Sequence, residues 1–232
     1  METQSPDFVG AAEQIIHSGA VEGMAPPLQV ALFLAGFALL TTLLVSMTAF
    51  TRIVIVLSFV RRALTTQEIP PNPVIMGLAM FLTLFVMRPT IDAIMTDAVN
   101  PYLRETDPLS MPEAWAAGSK VVRNFMITQT RTQELSLFIL LSGIETPYDE
   151  NDIPLRVLVP AFMVSELKTA FIMGFCIYVP FLLIDLVVST VLMSLGMMMM
   201  PPAMMSLPFK ILLFVLVDGW QLIASALSVS FG

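Results

Sequence analysis

One cysteine and one histidine in 232 residues leave little room for thiol, disulfide or imidazole chemistry. Cys176 sits inside an apolar run, so neither a disulfide framework nor a thiolate metal site is available within one chain. His17 precedes the first apolar run and reads as a solvated or packed side chain. Charge is scarce as well. Only 12% of residues are charged while 56% are hydrophobic, and mean hydropathy is +0.84, which excludes an ordinary soluble domain and leaves an integral membrane protein or part of one. The net charge is -7 and Lys/Arg do not cluster beyond Arg61-Arg62, so no nucleic-acid partner is expected. A glycine-rich phosphate loop, a metal-ligand cluster and a nucleophile-base arrangement are all missing. No catalytic residue, cofactor or metal is expected, and the chain reads as non-enzymatic.

What is present is organised around Thr169 to Val229. Two long apolar runs there flank the stretch GMMMMPPAMMSLP, and seven of the chain's eighteen methionines fall between Met193 and Met205. Gly196, Pro201, Pro202 and Pro208 argue against continuous helix, so a loop is expected over 196–208. An irregular apolar segment faces neither water nor lipid comfortably, because lipid cannot satisfy its free backbone groups. It should be buried in protein or line a cavity.

Residues 1–27 hold Glu2, Asp7, Glu13 and Glu22 with no Lys or Arg, so the basic region of a secretory signal is not read there. Leu28 to Phe50 is long enough to span a bilayer. Arg52, Arg61 and Arg62 follow in what reads as a short connection, placing that connection in the cytoplasm and the N-terminus outside. Val74 to Met87 is short for an independent span and must extend past Arg88-Pro89 or pack within an assembly. From 88 to 156 the composition turns soluble, with ten acidic and six basic residues. Ser110-Met111-Pro112-Glu113 is a capping-box pattern, and Val121, Val122, Phe125 and Met126 form an apolar stripe on one long amphipathic helix. Gly143 is its expected stop. A third run, Thr169 to Leu195, should kink at Pro180, and a fourth covers Phe209 to Val229. The parity gives four crossings.

The expected fold is thus all-α, with an N-terminal segment 1–27, a first helical hairpin 28–87, an extracytoplasmic helical segment 88–156 and a second hairpin 157–232. Charges interrupt these runs. One near the centre of a lipid-facing helix costs about 2.5 to 3.5 kcal/mol, so Arg52, Asp185, Lys210 and Asp218 favour helices that face protein. Snorkelling near helix ends is an alternative for Arg52 and Lys210, but is harder to sustain for Asp185. Paired as an intramembrane aspartyl protease, Asp185 and Asp218 would sit in IDLVV and VDGWQ, which are poor contexts for that chemistry.

The stretches MTAFTRIVIVLSFVRRAL, IPPNPVIMGLAMFLTLFVMRP, PAFMVSELKTAFIMGF, LMSLGMMMMPP and SLPFKILLFVLVDGW closely resemble the FliP (SctR) family of type III protein export gates, in the same order and spacing from Ser46 to Leu222. The resemblance implies a pentameric ring joined by FliQ and FliR relatives, with FlhA and FlhB relatives as further partners, passing unfolded proteins across the bacterial inner membrane at the flagellar basal body. It also implies a helical cone lying largely on the periplasmic side, which would place 88–156 there. It maps a methionine gasket onto Met197, Met198 and Met199, with Met200 as an additional methionine. Glu166 and Lys210, with Arg131 and Asp185, match positions of polar contact between subunits, the alternative being pairing within one subunit. The SELKTAF and DGW blocks read in the flagellar form. The alternatives are an injectisome gate subunit and, from another class, an ion-coupled transporter using Asp185 and Asp218; the latter usually shows an internal repeat, and none matches here.

Overall fold

The computed structural model describes residues 25–64, 70–104, 109–144, 152–197 and 200–231. His17 and the rest of the N-terminal segment lie outside them. The described residues are helical throughout, with no strand among them. The chain divides into two compact units, 1–44 and 45–232. The described part of the first is nearly all of helix α1 (Pro26–Ser46), whose Thr41 and Thr42 hydroxyls donate back to the Ala38 carbonyl at 2.9 and 2.8 Å. That back-bonding satisfies polar atoms inside an otherwise apolar helix.

In the second unit, helix α2 (Phe50–Ala63) occupies what the sequence suggests is a connection. Ile53, Val56, Leu57, Val60 and Ala63 recur at helical spacing and are all buried. Arginines at both ends of this stretch disguise that stripe in the sequence. Helix α3 (Asn72–Val86) does continue past Arg88-Pro89, into α4 (Arg88–Tyr102), but the two are bent by 58°. A π-helical turn over Met95–Val99 lies within α4.

The segment expected to be one long amphipathic helix is two, α5 (Met111–Gln129) and α6 (Thr132–Ser142). The capping box forms as expected: the Ser110 backbone N–H and hydroxyl both donate to Glu113 Oε2, at 2.9 and 2.6 Å. These bonds hold the Glu113 carboxyl below the ordinary carboxylate range. Gly143, at φ +66°, ends α6. The break at Thr130-Arg131 has a tertiary cause, since Ser165 Oγ accepts the Arg131 backbone N–H at 3.0 Å in place of a helical carbonyl.

Helix α7 (Leu155–Ser194) is 40 residues long, about 60 Å, and holds both Pro160 and Pro180. It begins fourteen residues before the expected Thr169 because Pro154 stands at its N-cap and the apolar stripe starts at Val157. Val157, Leu158 and Phe162 pack with Met126 and Ile153, so the stripe of α5 is buried against α7 of the same chain. On another face, Gly174 meets the ring of Phe59: a Cβ there would lie 2.5 Å from ring carbons, so only glycine permits the approach of α2 to α7.

The fourth run is also bent. Helices α8 (Pro202–Leu216) and α9 (Gly219–Val229) meet at 61°, with Asp218 in the left-handed region at φ 49°. By length and composition, one described helix, α7, suffices to cross a membrane, and three do if each bent pair counts as one span. Of the four expected crossings, the third falls on α7, the second and fourth correspond to the two bent pairs, and the first overlaps α1.

Candidate functional site: buried ion pairs and the methionine turn

Arg52 is 2% exposed and Glu166 not at all. The two meet as a bidentate pair, with Arg52 Nε donating to Glu166 Oε2 at 2.8 Å and Nη2 donating to Oε1. The remaining guanidinium protons are also taken. Nη1 donates to the Ser230 carbonyl at 2.7 Å and to its hydroxyl oxygen at 3.0 Å, and Nη2 to Gln129 Oε1 at 3.3 Å. The Phe231 ring stacks on the guanidinium with its centroid 3.7 Å from Cζ, and Gln129 Nε2 donates to the Phe231 carbonyl at 3.1 Å. Arg52 is therefore a junction of α2, α5, α7 and the segment after α9, and it does not snorkel.

A second set lies beside it. Ser165, Lys168 and Thr169 share a face of α7 and grip the corner between α5 and α6. Arg131 Nη2 donates to Thr169 Oγ1 at 3.1 Å, and Lys168 Nζ to Glu134 Oε1 at 2.6 Å. The Lys168 bond, aided by the charges of Lys168 and Arg131, holds the Glu134 carboxyl below its ordinary range against the opposing effect of burial. Glu134 Oε2 is buried and accepts no hydrogen bond among the described residues.

The third set is in the second hairpin. Lys210, 2% exposed, donates to Asp185 Oδ2 at 2.6 Å, while Ser206 Oγ donates to Oδ1 at 2.5 Å. Ser206 and Lys210 are one turn apart on α8 and reach the same carboxylate on α7. Asp185 keeps about a third of its side chain exposed, at 32%. Asp218 stands eight residues beyond Lys210, roughly 12 Å of helix, at the α8–α9 bend. Among the described residues no group of three or more His, Cys, Asp or Glu is placed to hold a metal ion.

Beyond these pairs the hairpin turns at Leu195 to Pro201. Gly196, at φ +73°, takes the turn a side chain would strain, and its N–H donates to the Met193 carbonyl at 3.1 Å. Met197 N–H reaches the Leu192 carbonyl at 3.0 Å. The turn is shorter than the expected 196–208 because Pro202 opens α8 at its first position, where its missing N–H costs nothing. Met197 and Met200 are each 40% exposed, while Met198 and Met199 lie outside the described residues.

The sequence matches the FliP family over residues 33–227, a stretch that takes in both partners of each buried pair. The chain belongs to the FliP family. It is 50% identical over 217 residues to the flagellar biosynthetic protein FliP of Bacillus subtilis (strain 168), covering 94% of this chain and 97% of that protein. Identity to the flagellar biosynthetic protein FliP of Aquifex aeolicus is 42% over 232 residues, covering 94% and 96%. Against the namesake from Buchnera aphidicola subsp. Acyrthosiphon pisum it is 48% over 225 residues, and the chain spans 59% of that relative's length.

Of the FliP-family positions singled out in the sequence, Asp185 and Lys210 come together and Glu166 finds Arg52. Arg131 stands one helical turn from Glu166 through Thr169. Gln129, Glu134, Ser206 and Ser230 are polar partners that sequence reasoning missed. Ser206 alone carried a local signal, four residues before Lys210 on the same helix face.

Proposed function

We propose that this chain is a pore-forming core subunit of the flagellar type III protein export gate, passing unfolded proteins across the bacterial inner membrane and holding no catalytic site of its own. The observation that carries this reading is an apolar turn of methionines at the tip of a hairpin, in a chain of the FliP family, with Met197 and Met200 each 40% exposed in a single subunit. Exposed methionine there calls for neighbours. In a ring of five such chains, with FliQ, FliR, FlhA and FlhB relatives, the turns converge on the axis and Met197 to Met200 form a gasket. Unbranched, polarizable methionine can repack around side chains of every shape and still exclude water. The flagellar names of the relatives favour the flagellar system over an injectisome.

Much of the assembly, including 88–156, lies on the periplasmic side in this reading. Subunits meet around Arg131, Glu166, Asp185 and Lys210, adding to the pairs already made within each chain or exchanging them. The test is ionic conductance across membranes carrying the assembled complex with Met197, Met198 and Met199 replaced by Gly or Ala. An intact mutant ring should leak; one as tight as the unmutated ring puts the seal elsewhere.

A further inference from the structure

Two hollows of about 170 and 380 Å³ lie side by side over α2, between α3 and the start of α9, and share Leu57, Leu78 and Trp220 as walls. Val74, Ile75 and Leu82 complete the α3 side, Ile223 and Ala224 the α9 side, and Gln221 is the one polar residue of the lining apart from the indole N–H. One end of this groove, at Pro70, lies beside a cationic site. Arg61 is one helical turn past Leu57 on α2, and its Nη1 donates to Asn72 Oδ1, two residues past Pro70. Arg62 beside it is exposed. The ionisable residues between Leu57 and Val74 are Arg61, Arg62 and Glu68, a net positive charge.

We propose that this groove binds an anionic phospholipid, with an acyl chain along Leu57, Leu78 and Trp220 and the headgroup phosphate at Arg61 and Arg62. An apolar lining with positive charge at one end selects the occupant. The groove follows α3 from Val74 to Leu82, roughly 12 Å. Its lining is apolar along that length, which suits an extended hydrocarbon chain. The charge at the Pro70 end supplies the selectivity, because guanidinium groups pair with phosphate oxygens in two-pronged fashion. Trp220 fits the same frame, as indole favours the boundary where one end of the ring is apolar and the other wet.

The chain has two tryptophans, so Trp115→Phe leaves Trp220 as sole reporter. Trp115 is 78% exposed, which makes that substitution mild. The full-length Trp115→Phe protein is reconstituted in phosphatidylcholine vesicles carrying equal mole fractions of acyl-brominated phosphatidylglycerol or acyl-brominated phosphatidylcholine, and quenching of Trp220 is read. Brominated phosphatidylglycerol should quench at lower mole fraction, by about fivefold for each arginine engaged. Arg61→Gln with Arg62→Gln should erase the preference, while Arg61→Lys with Arg62→Lys should keep most of it. Equal quenching by the two lipids overturns the proposal, as does a preference that survives the double Gln change. Quenching by neither lipid overturns it too, since the groove is then covered by protein.

Discussion

The two halves of α7 are both rich in apolar residues and have opposite surroundings. From Leu155 to Gly174 the helix buries Val157, Leu158, Ala161, Phe162, Ser165, Glu166, Ala170 and Gly174, whereas from Phe175 to Ser194 it buries only Phe181 and Leu192. Across its most apolar window just 11% of residues are buried. The first half is the centre of a folded subunit, and Ser165, Glu166, Lys168 and Thr169 on it find partners inside the chain. The second half presents Leu182, Leu183, Leu186, Val187 and Val191 outward. Apolar sequence thus marks two different things here, a core already formed and a surface that an assembly or lipid must cover.

The contrast breaks most severely at Arg52 and Glu166. Glu166→Ala or Arg52→Ala leaves a buried charge uncompensated and should cost about 3 to 5 kcal/mol, read as a lower unfolding temperature and poor yield of extracted subunit. Arg52→Met combined with Glu166→Leu should recover much of that loss, because apolar side chains of similar volume avoid the desolvation of two ions. If the double change is no better than the single ones, the Ser230 and Gln129 contacts matter more than the ion pair.

Gly174→Leu is the next in size. It drives a side chain into the Phe59 ring, and overpacking of this kind costs about 1 to 3 kcal/mol. Phe59→Ala should partly restore stability in the same chain, measured by thermal unfolding in detergent. A leucine placed instead at Phe175, in the exposed half, should leave the isolated subunit unchanged.

Lys210→Ala should act on assembly more than on the subunit. The Asp185 carboxylate it strands is about one-third exposed and can rehydrate, so we expect about 1 to 3 kcal/mol in the subunit. Ring yield should fall further than membrane insertion does. Normal ring yield from Lys210→Ala would remove that position from the proposed subunit contacts.

The smallest effect belongs to Glu134. Its folded-state carboxyl is held below the ordinary value of 4.5, so the folded state binds its proton less readily than the unfolded chain. Its contribution to stability is therefore complete above 4.5 and is lost as pH falls through the lowered folded value. Glu134→Gln should flatten the unfolding temperature across that acidic window only, which a pH series of melting curves would resolve.

Local features were readable from sequence and distant ones were not. The Ser110 capping box and the Gly143 stop depend on residues within a turn of each other, and both form as expected. The bends at Met87 and at Val217-Asp218 leave no mark on hydropathy, so apolar runs do not reveal that two of the expected crossings are bent pairs. Arg52 looked like a helix-end charge because its partners Gln129, Glu166 and Ser230 lie 77, 114 and 178 residues away. Asp185 and Lys210 were legible in principle. They sit about a dozen residues to either side of the middle of the methionine turn, and a hairpin folded there brings them close together. The family resemblance added Glu166 to the charges that pattern reading had already singled out, and Glu166 proves to be the buried partner of Arg52.

The Arg52 junction also sets an order of events during synthesis. Arg52 leaves the ribosome 178 residues before Ser230, which at ordinary elongation rates is a delay of roughly 10 to 35 s. For the first part of that interval its guanidinium has neither Glu166 nor the Ser230 carbonyl, and it cannot be enclosed among Ile53, Val56 and Val60 without a large desolvation cost. Helix α2 must therefore wait with its charged end in a hydrated place, and the subunit closes only when residues 230–231 arrive. The turn at Ser230 and Phe231 is in this sense the latch on the buried charge of Arg52.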